Sequence, residues 1–402
     1  MKILMLTPYL PFPPSSGGQI RSYNLIKQLS KKHDITLFCY IRSSAEEKFV
    51  PELKKYCKKV RVFTRRPAWH PLNIMLAGLS PYPFLVCIYL SGAFRKAVDE
   101  ELKSNKYDLI HAETFYVMTN IPKTQIPTLL VEQTIEYLVY KHYVERIENI
   151  SLRRLLSFDV GKLKFWETAF WKKADGVVAV SAADKKEMLA LAQRLKVDLV
   201  PNGVNLDFFK VKENWNEKDP RILFVANFKW LQNVEAAKLL LDKVFPPIAK
   251  ENPKVKVWIV GQYIPDEIKE RKSSRIIINS LKEDDQESIR NAYHKASVFV
   301  SPLRGPGGTR LKHFGAMAAK LPLITTTVGA EGLGVTDGID IMVRDDPKSL
   351  AAATLKILND SEMAQRIANN ARRLVEEKYS WYKMSQLLDN IYEKTGTYRN
   401  NS

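Results

Sequence analysis

Short aliphatic, β-branched runs alternate along this chain with longer stretches whose apolar positions recur every three or four residues. Parallel sheets wound with helices impose that pattern. In the first half the strand-like runs are Lys2–Leu6, Ile35–Tyr40, Val60–Thr64, Leu109–His111, Thr128–Glu132, Gly176–Val180 and Asp198–Val200. Helical periodicity fills Gln19–Ser30, Ala93–Ser104 and Lys162–Lys173. Val211–Pro220 is polar, aperiodic and ends in proline, which reads as an interdomain linker. The alternation then restarts. Strands are predicted at Arg221–Val225, Val255–Val260, Arg275–Ile278, Ser297–Val300, Leu323–Thr326 and Ile341–Val343. Helices are predicted at Asn233–Lys250, Glu287–Lys295, Arg310–Lys320, Pro347–Leu358 and Glu362–Glu377. Ser380–Glu393 reads as a final helix, with Trp381, Met384, Leu387, Leu388 and Ile391 on its apolar side, that crosses back to the first domain. The expected fold is α/β, with two Rossmann-like domains whose parallel sheets face a central cleft. The first spans residues 1–205 with 380–402 packed back, and the second spans 206–379. Ligands of such sheets bind at the carboxyl ends of the strands.

Charge adds a partner class. The 402 residues carry a formal net charge of +18. Residues 1–200 hold 31 basic and 19 acidic side chains, so most of the excess sits in the first half. An anionic membrane surface, phosphorylated small molecules and nucleic acid are the candidate partners, against a simply solvated lysine-rich surface. The cations are spread out and no nucleic-acid module is present, so nucleic acid is not expected. Three scattered cysteines, Cys39, Cys57 and Cys87, suit neither a disulfide framework nor a zinc site, and a cytoplasmic protein is expected. The N-terminus breaks into Thr7-Pro8 after one strand, unlike a signal peptide. Leu72–Phe94 lacks any charged side chain. Three readings stay open: a membrane span, a loop that inserts into a surface or faces the acceptor, and ordinary burial. Pro81 and Pro83 near its middle weigh against a span.

The strongest local signal is Ser301-Pro-Leu-Arg-Gly-Pro-Gly-Gly-Thr-Arg-Leu-Lys312. A glycine-rich loop joins a strand to a helix, and loop amides with a helix N-terminus form an anion site. Arg310 and Lys312 face the positive end of the helix dipole, which costs several tenths of a kcal/mol each unless an anion sits there. A flexible loop with two solvated cations is the alternative. No Gly-Lys-Ser/Thr follows, so this is not a Walker loop. Gly17-Gly18 lacks the dinucleotide spacing; it offers close backbone approach at a helix entry, or a plain turn.

These residues carry a resemblance along nearly the whole chain. The order is Pro8 and Gly17-Gly18-x-x-Arg21, Tyr107–His111, Trp166-Glu167 through Ala174–Ser181, Pro201–Asn205, Val260-Gly261, Gly308–Lys312, and Val328–Leu333. In that order the chain resembles a family-four glycosyltransferase of the GT-B fold.

The resemblance implies a nucleotide-diphosphate sugar held by the second domain and an acceptor held by the first. Transfer would retain anomeric configuration without a metal or other cofactor. Arg310 and Lys312 would stabilise the leaving diphosphate, and His111 would hydrogen-bond the transferred sugar. Gly17, Gly18, Asn227, Gly308, Thr309, Glu331 and Gly332 would contact the donor; Glu331 is equally readable as a plain loop residue. Arg21, Gln133 and Glu136 would lie on the acceptor side. Relatives usually carry two glutamates eight positions apart, where this chain has Gly307 and Gly315. The second normally receives the donor ribose. The usual Arg/Lys pair is missing too, with Asn227 and Gln232 near those places. The expected function is hexosyl transfer to a glycan or lipid-linked acceptor in cell-surface polysaccharide or glycolipid assembly, peripheral on the inner membrane face. The alternative is a degenerate member that binds nucleotide or glycan without turnover. Glu283–Asp285 and Asp345-Asp346 read as helix caps and not as metal ligands.

Overall fold

A computed structural model of the chain describes residues 1–215, 218–282, 285–305 and 310–398, with residues 397 and 398 by backbone alone. Contacts divide the chain into Met1–Pro201 with the tail from Met384, and Asn202–Lys383. The stretch read as a linker lies inside the second of these units. Lys212 there is buried, donating its Nζ to Ala296 O at 2.8 Å and its amide to Ala319 O at 2.9 Å.

The first unit is built on seven parallel strands: β1 (Lys2–Thr7), β2 (Asp34–Ile41), β3 (Lys59–Thr64), β4 (Leu109–Glu113), β5 (Thr128–Val131), β6 (Gly176–Ala179) and β7 (Val197–Leu199). Their order is β3-β2-β1-β4-β5-β6-β7. Central strands covered on both faces must be apolar throughout. Ile3, Leu4, Met5 and Leu6 accordingly lie fully inside, paired with Ile35–Phe38 on one side and Leu109–Ala112 on the other. The chain reverses its winding between β1 and β4, and a doubly wound sheet binds ligands at that switch point.

The second unit repeats the plan with six strands: β8 (Arg221–Asn227), β9 (Lys256–Gln262), β10 (Ile276–Ser280), β11 (Val298–Ser301), β12 (Leu323–Thr325) and β13 (Met342–Val343). The order β10-β9-β8-β11-β12-β13 puts its switch point between β8 and β11. Gly261 in β9 is obligatory, because a Cβ there would stand 1.9 Å from Ala226 O.

Three expected elements change. Asn233–Lys250 is not one α-helix: Leu231–Leu239 widens to a π turn at Leu240–Val244 before Phe245–Glu251. Pro246-Pro247 removes two amide donors, and the wider turn absorbs the ring that would strike the preceding carbonyls. Leu72–Phe94 folds as Pro71–Leu79 and Phe84–Cys87, split by Ser80-Pro81. Among the described residues no helix is long and apolar enough to cross a membrane. The helix expected at Lys162–Lys173 starts at Ile150, where the Asn149 side chain accepts from Leu152 N.

The final helix, Trp381–Tyr398, contains the division between the units. Its later turns belong to the first unit, where Asp389 meets His33 at 2.8 Å and Lys32 at 2.6 Å.

Candidate functional site

Each unit gathers polar side chains at its own switch point. In the second unit β8 ends at Asn227, whose carbonyl accepts from Asn233 Nδ2 at 2.7 Å. Asn233 Oδ1 in turn accepts from Lys312 Nζ at 2.6 Å. That ammonium also lies 4.7 Å from the Phe224 ring centroid. Beyond β11 the chain enters the glycine-rich loop, and helix Leu311–Ala318 begins with Arg310 as an extended N-cap residue. Arg310 Nη2 donates to Gly305 O at 2.8 Å. Gly308 and Thr309, expected on the donor, and Gly307 lie outside the described residues.

The electrostatics are unfavourable to a free cation. Burial, and then the charge of Arg310, push the Lys312 amine well below its ordinary value. His313 is driven down by burial, then by Lys312 and Arg310, so it stays neutral and donates from Nδ1 to Gly329 O at 2.9 Å. Two cations and a neutral imidazole at one helix entry favour an anion of high charge. Glu331 is exposed just past helix Thr327–Ala330, its carboxyl raised by partial desolvation with Arg310 pulling it down. It borders a cavity of about 760 Å³ with Thr327, Asp337, Arg344 and Ser349, which neither Arg310 nor Lys312 lines. Gly332 follows at φ +75°, a left-handed turn that suits glycine.

Gly315 is fully enclosed, and a Cβ there would come within 2.9 Å of Phe209 and 3.2 Å of Tyr293. Two aromatic rings therefore fill the space beside Gly315, where the resemblance leads one to expect a carboxylate. Asp285 and Asp346 are helix caps, accepting from Ser288 N and from Lys348 N and Ser349 N. Asp345 accepts from Thr327 N and Oγ1. Glu283 and Asp284 lie outside the described residues.

In the first unit His111 lies inside its strand and not at the end expected for it. Strand β4 runs two residues past it, and the His111 ring is wholly buried, with Nδ1 at 2.6 Å from Tyr392 OH and Nε2 at 2.7 Å from Glu113 Oε2. In that position the imidazole orients Glu113. Arg21 is likewise turned inward. Its Nη1 and Nη2 donate to Pro201 O and Val200 O at 2.9 and 3.0 Å, and its Nε lies 3.9 Å from Glu113 Oε1. Gln133 Nε2 donates to Glu113 Oε1 and to Tyr9 OH, each at 2.5 Å. Burial works to raise the Glu113 carboxyl, but His111, Arg21 and Gln133 together hold it below the ordinary range.

Gly17 is exposed at the head of helix Gly17–Leu29, and Gly18 packs into this network. A Cβ on Gly18 would stand 2.4 Å from Gln133 Oε1 and 2.7 Å from Tyr9 OH. The helix entry therefore sits directly against the Gln133 loop, with first-turn amides that have no intrahelical acceptor. Glu136 opens helix Glu136–Glu145 and is partly exposed; burial raises its carboxyl to about 7, with a Tyr116 hydrogen bond pulling down. Buried Glu167 caps that helix, accepting from Glu136 N at 2.8 Å and Tyr137 N at 3.0 Å.

Glu113, Asn233 and Phe209 were not singled out from sequence. Glu113 had a signal: it lies two residues beyond His111, on the same face of the strand. Asn233 had none, since its role depends on where helix Leu311–Ala318 lands.

Comparison with known proteins adds a family to this geometry. Residues 219–360 match the model described as glycosyl transferases group 1, and residues 15–208 match Glycosyltransferase Family 4. A Klebsiella pneumoniae protein described as an uncharacterized 44.6 kDa protein in the cps region is 22% identical over 394 residues, covering 95% of this chain and 97% of that protein. The capsular polysaccharide biosynthesis glycosyltransferase CapM of Staphylococcus aureus is 23% identical over 273 residues, covering 61% of this chain and 68% of CapM. Among solved structures, sucrose-phosphate synthase from Thermosynechococcus elongatus aligns at TM-score 0.71 with 18% identity, over 98% of this chain and 99% of that one. Anabaena HepE in complex with UDP and glucose aligns at TM-score 0.67 with 16% identity, over 98% and 99%.

Proposed function

The chain is a glycosyltransferase whose two halves match Glycosyltransferase Family 4 and glycosyl transferases group 1, and from that premise we propose that it moves a hexose-type sugar from a nucleoside-diphosphate donor to a glycan or lipid-linked acceptor. The second unit takes the donor and the first takes the acceptor. Transfer proceeds with retention, in assembly of a surface polysaccharide or glycolipid, with the enzyme peripheral to the membrane. A relative named for capsular polysaccharide biosynthesis supports the pathway class.

One observation carries the donor assignment: Lys312 and Arg310 crowd together at the entry of helix Leu311–Ala318, with the Lys312 amine held well below its ordinary value. A diphosphate relieves that arrangement. Charge that builds on the leaving group as the glycosidic bond to the sugar breaks is met by both cations and by the helix end. The acceptor hydroxyl attacks the same carbon and gives its proton to the departing phosphate. No metal is required in this scheme. Glu113, with its carboxylate oriented by His111 and Gln133, is the first unit's hydrogen-bond acceptor at its switch point.

The test is thermal-shift titration with UDP, GDP, ADP and their hexose conjugates, on the wild type, Arg310→Ala and Lys312→Met. One nucleoside diphosphate is expected to stabilise the wild type selectively. Each substitution removes a charge-assisted phosphate contact and weakens that binding by about 10–100-fold. Equal shifts in all three proteins would reject the site.

The rings over Gly315 favour a second reading, loss of the ribose clamp and binding without turnover. Transfer or hydrolysis with any donor of the panel would end it.

A further inference from the structure

Helix Ile150–Lys173 is apolar on two opposite faces. Leu163, Glu167, Phe170 and Trp171 are its buried side. Leu155, Phe158 and Phe165 fall on the other side, and are 66%, 71% and 67% exposed. A second apolar stripe turned away from the core suits contact with another apolar medium.

The patch continues onto helix Pro71–Leu79. Lys162 Nζ donates to Ala77 O and Ser80 O at 2.6 and 2.9 Å, and Trp166 Nε1 donates to Pro81 O at 2.8 Å. Those bonds hold the end of Pro71–Leu79 beside the turns that carry Phe158 and Phe165. Leu79 is 83% exposed, and Trp69, Ile74 and Met75 extend the patch at half exposure or more. Scattered exposed hydrophobics need no explanation, but a contiguous set marks an interaction surface.

Charge decides what covers it. Between Glu52 and Asp99 the chain has no acidic residue. Along Ile150–Phe165 the cations Arg153, Arg154, Lys162 and Lys164 meet a single acid, Asp159, which is engaged by Phe84 N. Glu145 and Glu148 precede that helix, beside Lys141 and Arg146. A second copy on this face would bring Arg153 and Arg154 against their own images, which like-charge repulsion opposes. A lipid surface with anionic headgroups accepts the cations while its acyl boundary takes Leu, Phe and Trp.

We propose that helices Pro71–Leu79 and Ile150–Lys173 form a membrane-docking face that seats the first unit on an anionic lipid surface. The inference deepens the proposed function, since it rests on an acceptor held at the membrane and names the surface that reaches it.

Co-sedimentation of the full chain with phosphatidylcholine vesicles, with and without about one fifth phosphatidylglycerol, tests it. The wild type is expected to sediment with the anionic vesicles, and less so as salt is raised. Leu155→Ser/Phe158→Ser/Phe165→Ser should weaken binding at least tenfold, and Arg153→Glu/Arg154→Glu should remove the preference for anionic lipid. Brominated lipid should quench a fluorescence component that Trp69→Phe loses, a readout independent of the other variants' folding. Donor thermal shifts on the same proteins should stay unchanged, so a failed donor site and a failed docking face are told apart. Wild type left in the supernatant with both vesicles would overturn the proposal. So would a triple variant that sediments like wild type, or a wild-type dimer that the triple variant dissolves.

Discussion

Glu132 and Glu167 are carboxyls shut into the first unit, with Glu136 beside them. Glu132 accepts from Trp171 Nε1 at 2.9 Å and from Phe115 N at 3.3 Å, yet burial dominates and raises it to about 8. Burial also raises Glu136 to about 7 and Glu167 well above the carboxylate range. An unfolded glutamate titrates near 4.3, so between there and about 8 the folded chain binds more protons than the unfolded one. Stability contributed this way is full below the unfolded value and is lost as pH rises through the folded one. Urea unfolding of wild type and Glu132→Gln across that window should show the wild type losing stability faster. The gap should change by on the order of 1 kcal/mol per pH unit and then level off above about 8. Parallel curves would mean that Glu132 is charged in the fold. None of this was legible in the sequence, where Glu132 reads as a strand end. The carboxyls meet because a strand end, a helix start and a later helix converge.

Elements with one apolar face and a cap were readable; those with two were not. Asp346 before Pro347–Asn359 and Asp285 before Gln286–Lys295 announce their helices by cap chemistry. Pro71–Leu79 lacks a polar face, and the first half of Ile150–Lys173 mixes charged residues with exposed apolar ones, so their helical period is hidden. In the sequence the apolar run Leu109-Ile110 stops at His111, which reads as a strand end, whereas pairing with β5 carries β4 on to Glu113. Gly18 tests whether the entry of helix Gly17–Leu29 is a fitted element. In Gly18→Ala the new methyl meets Gln133 Oε1, and Gln133 is pinned by Tyr9 and Glu113. A loss of about 1–3 kcal/mol in urea unfolding is expected, as for other overpacked sites. Adding Gln133→Ala should recover part of it. A Gly18→Ala chain as stable as wild type would show that the helix entry has room to shift.

At the scale of the molecule, every strand of both sheets was visible in the sequence, because parallel strands covered on both faces leave uninterrupted apolar runs. The tail was visible as a helix, but its partners were not. Tyr392 gives His111 its hydrogen bond, Asp389 engages His33, and Leu388 and Tyr392 are fully buried. A chain stopped after Lys383 leaves His111 Nδ1 without that partner, at about 1–3 kcal/mol, and loses the burial of two large side chains, worth about 1.5–3 kcal/mol each. Its first unit should unfold at markedly lower urea, while Tyr392→Phe loses only the hydrogen-bond share. A truncated chain with an unchanged midpoint would show that the tail is dispensable. The same feature bears on synthesis. Because the first unit needs residues from Met384 onward, it cannot close until all of Asn202–Lys383 has left the ribosome. At about 5–20 residues per second, that is a wait of roughly 10–40 s. For that interval the nascent chain exposes the surface around His33 and His111 that the tail covers, a natural substrate for chaperones, while the second unit is still emerging.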